Sequence, residues 1–313
     1  MENSTPLISV LLCVYNGERY LAESIDSIIN QTFTNWEMIA IDDGSTDKTL
    51  EILKRYAIKD IRIKVYTQKN IGLTKSLNKS ISLSKGRYLA RQDADDMSTF
   101  NRFELQVHEF KQDDKTILVT GRTEVVNIEG SHLTITIPPV NNREMKKTIF
   151  RLSNPFTHGS LMIKKSSLLG IDGYCEDFFS SQDFDMIIRL SKFGNFKVIN
   201  DIIYKLRKHP ESITVKRWKS RFKYSFMFSK TIENNYQDYN KFYYLFKYNS
   251  VLFLKIMAFG FISGESYYYL YLGNLALING RKNQALKYFY LSANKTFFFP
   301  YGWYKYYKTK YGN

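Results

Sequence analysis

The sequence predicts an α/β fold in which a mixed, mostly parallel sheet is flanked by helices and is followed by a helical C-terminal region. Three observations lead to this prediction. Apolar, β-rich runs alternate with helix-like segments, polar clusters follow several of those runs, and the composition changes near residue 215. With 313 residues, 44% of them hydrophobic, the chain can bury one large core or a core with an appendage. We therefore expect a domain at residues 1–215 and a second, helical region at residues 216–313.

Strands and helices are predicted to alternate regularly over the first ninety residues. The predicted strands are Ile8–Val14, Trp36–Ile41, Ile63–Tyr66 and Tyr88–Ala90. The helical patterns between them are Tyr20–Gln31, Asp47–Ile58 and Leu73–Ser84. Strands separated by helices of this length are typical of βαβ units and a mostly parallel sheet. In such sheets ligands bind beyond the carboxyl ends of the strands.

Polar clusters lie at three of these carboxyl ends. They read "VYNGE" after the first strand, "DDGSTDKT" after the second and "DADD" after the fourth. In the second cluster Gly44 permits a tight turn, and Ser45 or Asp47 can cap the following helix, so a purely structural role is an open alternative. Because parallel strands end at one edge, we expect the three clusters to converge.

The cluster "DADD" places Asp93, Asp95 and Asp96 within four positions. Neighbouring carboxylates repel one another unless a positive charge lies between them, although a solvated loop could carry them at little cost. The convergence of three polar strand ends favours a hard divalent cation, Mg²⁺ or Mn²⁺, whose shell is completed by phosphate oxygens and water. A metal together with phosphates indicates a nucleotide ligand.

The positive charge of the chain is concentrated in its C-terminal region. The formal net charge is +15, and residues 216–313 contain 16 of the 45 Lys and Arg residues but only 3 of the 30 Asp and Glu residues. The same region holds 31 of the 50 aromatic residues. Its most apolar run, Ser250–Ser263, is too short for a membrane span and contains Lys255. Basic and aromatic residues together predict peripheral docking on a lipid surface, and a helical bundle with an aromatic core is the alternative.

Other features exclude several classes of site. Cys13 and Cys175 form no disulfide framework, and the cysteines and four histidines lack the spacing of a zinc site. The polar segment Met1–Leu7 is unlike a secretory signal. We expect a cytoplasmic protein, peripherally associated with the inner face of the cell membrane.

The segments Ser9–Thr49 and Asn70–Asp96 resemble the nucleotide-sugar half of family 2 glycosyltransferases with the GT-A fold. Similarity continues through "RFELQVHEF", "THGSLMIKKSSLLGIDGY" and "SQDFDMIIRL" to "RKHPESIT", and so covers roughly the first 215 residues. The resemblance implies a Rossmann-like GT-A sheet. It also implies metal-dependent, inverting transfer of a sugar from a nucleoside diphosphate donor. We expect a UDP-sugar donor and, as acceptor, a hydroxyl of a growing, lipid-linked bacterial surface glycan.

The resemblance also implies a nucleoside site. Asp43 matches an aspartate that accepts a hydrogen bond from the nucleobase, and Cys13 and Tyr15 match residues that line the same pocket. Gly72 and Asn78 match a loop and a helix that flank the nucleoside. For Cys13 the alternative is a buried strand residue that contacts the ligand only through its backbone. For Gly72 and Asn78 the alternatives are a turn glycine and a helix-surface asparagine.

Four further residues match positions near the ribose, the diphosphate and the metal. Asp93 corresponds to an aspartate near the ribose, and Asp95 to the metal-binding aspartate. Arg207 and His209 match an arginine and a histidine near the diphosphate or the metal. For His209, which precedes a proline, an ordinary loop residue is the alternative.

The acceptor side is predicted to supply the catalytic base, because an inverting mechanism needs one carboxylate to deprotonate the attacking hydroxyl. Asp183 matches this base, although Gln182 stands where many relatives have glutamate. A helix N-terminal carboxylate favoured by the macrodipole is the alternative for Asp183. His158 matches a position beside the acceptor cleft, with a buried structural histidine as the alternative.

Two other function classes are compatible with parts of this pattern. One is a non-catalytic module that binds membrane or nucleic acid on a degenerate GT-A scaffold, and the other is a nucleotidyltransferase. Asp43, Asp93, Asp95 and Asp183 are all present, whereas a degenerate scaffold should have lost at least one. The later helix "QDFDMIIR" favours sugar transfer over nucleotidyl transfer. We therefore expect an enzyme with no nucleic-acid partner.

Overall fold

The computed structural model of the chain describes residues 5–178, 181–212 and 280–294, together with short stretches between residues 227 and 310. Those short stretches are residues 227–228, 231–235, 269–270, 272–274, 276–277, 305–306 and 308–310. The predicted domain boundary at residue 215 and the apolar run Ser250–Ser263 lie outside the described residues.

Within the described part of the chain, nine strands form one mixed sheet. They are β1 (Ile8–Val14), β2 (Trp36–Asp42), β3 (Ile63–Thr67), β4 (Tyr88–Gln92), β5 (Met97–Ser98), β6 (Thr116–Val126), β7 (His132–Thr136), β8 (Met162–Lys164) and β9 (Asn195–Arg207). Their order is β3-β2-β1-β4-β8-β6-β9-β5, and β7 pairs with β6. The four strands from β3 to β4 are parallel, and β8 then runs antiparallel to both β4 and β6. The predicted α/β fold is confirmed, and its parallel half is the half that the sequence pattern identified.

Helices follow the parallel strands as predicted, with ends that shift by a few residues. They are α1 (Leu21–Ile29), α2 (Thr49–Lys59), α3 (Leu73–Leu83), α4 (Arg102–Gln112), α5 (Asn142–Phe150), α6 (Lys165–Leu169), α7 (Gln182–Leu190) and α8 (Lys282–Asn294). A 3₁₀ turn at His158–Ser160 precedes β8. Among the residues that are described, no helix is long and apolar enough to cross a membrane.

The hydrophobic core accounts for the continuously apolar strand sequences and for the periodic apolar residues of the helices. Strands β1 and β2 are buried along their whole length, as expected for strands covered on both faces, so their sequences are almost continuously apolar. Helix α1 buries Leu21, Ile25 and Ile28, which recur at the spacing of one helix face. These residues belong to one hydrophobic cluster that also contains Phe103 of α4.

Strand register brings the three polar clusters to one edge of the sheet. Val14 lies opposite Asp42, and Leu12 lies opposite Gln92, so β1, β2 and β4 end close together. Because these strands are parallel, the loops that leave their carboxyl ends share that edge. The expected convergence of the clusters is confirmed.

The chain divides into two compact units. The first comprises Met1–Glu124, Thr136–Leu206 and Thr231–Tyr239, and the second comprises Val125–Ile135, Arg207–Lys230 and Asn240–Asn313. In the second unit a small cluster of Leu270, Ala276, Ala285 and Phe289 is buried. A Cβ at Gly273 would lie 2.3 Å from the Phe289 ring, so a glycine is needed where this ring packs.

Candidate active site

The loops that follow β1 and β2 hold each other in place through side-chain hydrogen bonds. The Asn16 Oδ1 atom accepts the backbone N–H of Thr46 at 2.8 Å. In the other direction, the Glu18 N–H donates to Asp47 Oδ2 at 3.0 Å. The second oxygen of Asp47 accepts the N–H of Thr49, at 3.0 Å, where α2 begins. The polar cluster after β2 thus has a structural function, as the alternative reading proposed, and it fixes the loop that follows β1.

Asp43, which directly follows β2, accepts hydrogen bonds from the loop between β3 and α3. Its Oδ1 atom accepts hydrogen bonds from Gln68 Nε2 at 2.8 Å and from the Ile71 N–H at 3.0 Å. Its Oδ2 atom accepts the Gly72 N–H at 2.9 Å. Gly44 has a φ of 77°, and a Cβ there would lie 2.8 Å from a backbone nitrogen of this loop. Asp43, which is only 4% exposed, therefore organises the loop that carries Gly72.

The other predicted nucleoside residues have different surroundings. Tyr15 is 52% exposed at the end of β1, so its ring face is free to pack against a base. Burial raises the pKa of the Cys13 thiol to about 11, so this side chain is a protonated, apolar strand residue. Asn78 binds the backbone of Tyr174 twice, through Oδ1 and Nδ2, and Nδ2 also donates to Glu176. Its amide ties α3 to this later loop, and its contact with a nucleoside stays a prediction.

The positive charge beside the "DADD" cluster is supplied in part by Arg91. Its guanidinium group lies 2.5 Å from Asp93 Oδ1, and it also donates to the carbonyl oxygen of Leu11 at 2.9 Å. The Arg91 side chain is 2% exposed, whereas that of Asp93 is 28% exposed. Arg91 therefore neutralises Asp93 from the interior, and the nearby Asp95 is half-buried.

A network of buried polar side chains supports the turn that contains the "DADD" cluster. Gln92 donates through Nε2 to the carbonyl oxygens of Asp93 and Asp96, at 3.2 and 3.0 Å. Arg102 is fully buried, and burial lowers its pKa to about 10. Its N–H groups donate to neutral oxygens of Gln106, Gln92, Ser98, Arg91 and Leu161. The network satisfies every donor of a guanidinium group and fixes the backbone that presents the aspartates.

Tyr204 contacts both the turn that contains the "DADD" cluster and the 3₁₀ turn that carries His158. The backbone N–H of Asp93 donates to the Tyr204 hydroxyl at 3.1 Å. A Cβ at Gly159 would lie 2.0 Å from the same hydroxyl oxygen, so the tyrosine can occupy this position only over a glycine. Burial raises the pKa of Tyr204 well above its ordinary value, which keeps the hydroxyl protonated. His158 is in this way positioned near Asp93.

His158 and Tyr174 form a hydrogen-bonded pair in the region of Asp93 and the predicted base Asp183. The distance from His158 Nε2 to the Tyr174 hydroxyl is 2.8 Å. Burial, followed by the charge of Arg91, lowers the pKa of His158, while Asp183 and Asp93 raise it by smaller amounts. The imidazole is therefore neutral near pH 7. Both Asp183 and Asp93 are close enough to the imidazole for their charges to act on it.

Asp183 lies in the first turn of α7. The residue before this helix, Ser181, has a left-handed φ of 61°. The Asp183 Oδ2 atom accepts a hydrogen bond of 2.5 Å from Asn154 Nδ2. The Asn154 Oδ1 atom accepts the Phe156 N–H at 3.0 Å, which fixes the orientation of the amide. No other described side chain or N–H donates to Asp183, and its side chain is half-buried. One carboxylate oxygen is thus held, and the other can accept a proton from a ligand.

The rest of α7 supports the loop that carries Tyr174. Asp185 is buried and forms an ion pair with Arg189, at 2.7 Å. Arg189 also donates to the carbonyl oxygens of Ile171 and Gly173, at 2.6 and 2.9 Å. The arginine that ends this helix therefore has a structural function.

Arg207 and His209 belong to the second compact unit. Both are buried, with exposures of 4% and 7%, and Arg207 donates to the carbonyl oxygen of Ile128 at 3.0 Å. Their predicted contacts with the diphosphate or the metal stay predictions.

The residues present fit a metal that is held mainly by its ligand. Within the described ranges, no three His, Cys, Asp or Glu side chains converge on a position that could hold an ion. Mg²⁺ and similar hard cations commonly use one or two carboxylates, with phosphate oxygens and water as the remaining ligands. Asp95, a half-buried carboxylate at the strand edge, matches such a site.

The sequence did not reveal the residues that hydrogen-bond to the predicted site residues. Four residues that were not predicted bind a predicted site residue: Arg91 and Tyr204 bind Asp93, Gln68 binds Asp43, and Asn154 binds Asp183. Except for Arg91, each is distant in sequence from the residue that it binds. Arg91 had a detectable signal, since a charged residue inside an apolar strand needs a partner.

Comparisons with known proteins agree with this architecture. The model of the family described as "Glycosyl transferase family 2" matches residues 9–170. The putative glycosyltransferase EpsE of Bacillus subtilis (strain 168) is 36% identical over 220 residues, which cover 67% of this chain and 76% of EpsE. The O-antigen biosynthesis glycosyltransferase WbnJ of Escherichia coli is 35% identical over 185 residues, or 59% of this chain and 71% of WbnJ.

A solved structure extends the fold comparison to most of the chain. The crystal structure of S. aureus TarS 1-349 in complex with UDP-GlcNAc aligns with a TM-score of 0.60 at 17% identity, over 97% of this chain and 90% of that one. At this identity the likeness establishes the fold alone. Together with the family match, it shows that the chain belongs to glycosyltransferase family 2, with a GT-A fold, and is a nucleotide-sugar-dependent glycosyltransferase.

Proposed function

We propose that the enzyme transfers a sugar with inversion from a UDP-sugar to a hydroxyl of a growing surface polysaccharide. The observation that carries this proposal is Asp183, a carboxylate with one oxygen held by Asn154 and with no other donor among the described residues. Its charge acts on the same imidazole, that of His158, as the charge of Asp93. In an inverting reaction a single such base removes the proton of the attacking hydroxyl as the glycosidic bond breaks. His158 and Tyr174, a neutral hydrogen-bonded pair, would hydrogen-bond the acceptor or the transferred sugar.

The donor side is proposed to bind the nucleotide at the edge formed by β1, β2 and β4. Asp43 would accept a hydrogen bond from the base, Tyr15 would pack against it, and Gly72 would border it with its backbone. Cys13 would contribute only backbone at this pocket, and Asp93, held by Arg91, would bind the ribose. A divalent cation, Mn²⁺ or Mg²⁺, held by Asp95 would neutralise charge on the leaving diphosphate. Arg207 and His209 are proposed to assist at the diphosphate or the metal.

The acceptor class is proposed from the relatives and from the basic tail. WbnJ is named for O-antigen biosynthesis, which supports a bacterial surface glycan as acceptor. Residues 216–313, with 16 basic and 3 acidic residues, would attract an anionic membrane, at about 1 kcal/mol for each cation that reaches it. We propose that this tail holds the enzyme at the inner face of the cell membrane, near a lipid-linked acceptor. Co-sedimentation with phosphatidylglycerol vesicles tests this part: salt-sensitive binding supports it, and no binding at low salt contradicts it.

A screen of nucleotide-sugars tests the proposed reaction. Full-length protein is incubated with UDP-, GDP-, CDP- and dTDP-sugars and Mn²⁺ or Mg²⁺, and release of the nucleoside diphosphate is measured. We expect release from at least one UDP-sugar, together with inversion at the anomeric carbon of the transferred sugar. Release only from other nucleotide-sugars, or retention of configuration, would contradict the proposal.

A further inference from the structure

We propose that Gln68, oriented by Lys79, makes the nucleobase site selective for uracil over guanine, because it occupies an acceptor position of Asp43. This inference rests on the proposed function, in which Asp43 accepts a hydrogen bond from the base. It assigns the selectivity itself to residues outside the predicted site.

The orientation of the Gln68 amide is fixed from both ends. Lys79 Nζ lies 2.8 Å from Gln68 Oε1, and an ammonium group can only donate, so this atom must be the amide oxygen. The opposite end, Nε2, donates to Asp43 Oδ1 at 2.8 Å and to Ser76 Oγ at 2.9 Å. A flipped amide would place its oxygen against the Asp43 carboxylate and its NH₂ group against the Lys79 ammonium. Gln68 is therefore held as a hydrogen-bond donor to Asp43.

The remaining capacity of Asp43 follows from a count of its acceptor positions. An ionised carboxylate offers about four lone-pair positions, two on each oxygen. Oδ1 accepts from Gln68 and from the Ile71 N–H, so both of its positions are used. Oδ2 accepts from the Gly72 N–H alone among the described residues, so one position is left. Asp43 can accept one more hydrogen bond, and it can do so only through Oδ2.

This single position matches uracil better than the other common bases. Uracil presents one donor, N3–H, between two carbonyl oxygens. Guanine presents two adjacent donors, N1–H and the N2 amino group, which pair with both oxygens of a carboxylate. Cytosine and adenine present an unprotonated ring nitrogen at the corresponding position. With Oδ1 filled by Gln68, a guanine would bury one donor without a partner, which weakens binding by roughly tenfold to a hundredfold.

Calorimetric titration of the full-length protein with UDP and with GDP, each with Mg²⁺, tests the inference. The wild type should bind UDP more tightly than GDP by about tenfold or more. In Gln68→Leu the freed Oδ1 position should improve GDP binding relative to UDP, so the ratio of the two dissociation constants should fall by about tenfold. Lys79→Met releases the amide without removing it, and should lower the ratio by a smaller factor. Gln112→Leu, an exposed glutamine at the end of α4, is the matched control and should keep the wild-type ratio.

The outcomes separate the inference from the function on which it rests. A wild type that prefers UDP, with an unchanged ratio in Gln68→Leu and Lys79→Met, overturns the inference and leaves the proposed donor intact. A wild type that binds GDP as tightly as UDP overturns the uracil assignment and the inference together. If thermal unfolding shows that Gln68→Leu does not fold, Lys79→Met decides, and an unchanged ratio in that variant overturns the inference.

Discussion

The side-chain amide of Asn154 donates a hydrogen bond of 2.5 Å to Oδ2 of Asp183, across 29 positions of sequence. The other end of the amide accepts the Phe156 N–H, so the donor cannot turn away without loss of that bond. Asp183 is therefore presented in one orientation at the start of α7. This relationship leads to the first prediction.

Asn154→Ala should lower turnover by about tenfold, because a hydrogen bond to a charged group contributes roughly 1.5–3 kcal/mol to its placement. Affinity for UDP, measured by calorimetry, should not change. Asn195→Ala is the matched control, since it removes an amide–carboxylate bond of 2.9 Å to Asp113, away from the site. In the background of Asp183→Asn, Asn154→Ala should have little further effect on turnover. Additive losses in the double variant would contradict a role that acts through Asp183.

Arg91→Met should lower the free energy of unfolding by about 2 kcal/mol or more, since it leaves Asp93 without its buried partner. The estimate is below that for a fully buried pair because the Asp93 side chain is 28% exposed. Urea denaturation measures the effect. Lys147→Met, which breaks an exposed ion pair with Glu144, should cost less than about 1 kcal/mol. Equal losses in the two variants would show that the interior position of Arg91 does not matter.

The free energy of unfolding should decrease as the pH is lowered and His158 becomes protonated. Burial lowers the pKa of His158 below its ordinary value of 6.5, so the unfolded chain takes up this proton first as the pH falls. The contribution of the neutral imidazole is complete above pH 6.5 and is lost as the pH falls through the lowered pKa of the folded state. The slope due to this group can reach about 1.4 kcal/mol per pH unit. Urea unfolding between pH 5 and 7 should show a smaller slope in His158→Gln, and identical slopes would refute the assignment.

Chelation should abolish turnover if Asp95 and the diphosphate hold a divalent cation. We expect EDTA to stop the release of nucleoside diphosphate and excess Mn²⁺ or Mg²⁺ to restore it. Asp95→Ala should be inactive at ordinary metal concentrations while its thermal unfolding stays close to that of the wild type, because this side chain is only half-buried. Full activity in chelator would rule out the metal.

The sequence was sufficient for the features that depend on local pattern. The strands β1 to β4, the helices between them and the convergence of the polar clusters all follow from hydrophobic periodicity and from the geometry of parallel sheets. Positions such as Asp43 and Asp183 were identified through resemblance to a family, which specifies residue types but not their hydrogen bonds.

The parts that could not be predicted depend on contacts between distant segments. Sequence reasoning expected a metal ion beside the aspartates and did not identify Arg91, which pairs with Asp93. The bonds from the Asn78 amide to the backbone of Tyr174, 96 positions away, were not expected, and the contact of Asn78 with a nucleoside stays a prediction. Asn154 and Gln68 gave no signal, because nothing in the local sequence indicates which carboxylate a neutral amide will meet.

Asp183→Asn tests the central claim most directly, since it is nearly isosteric and removes the charge and with it the ability to accept a proton. With the nucleotide-sugar selected by the screen, turnover of the full-length variant should fall by a factor on the order of 10² or more. Its calorimetric affinity for UDP and its thermal unfolding should match the wild type, because Asp183 lies on the acceptor side of the proposed site. Turnover equal to that of the wild type would contradict the account and would show that another group is the base.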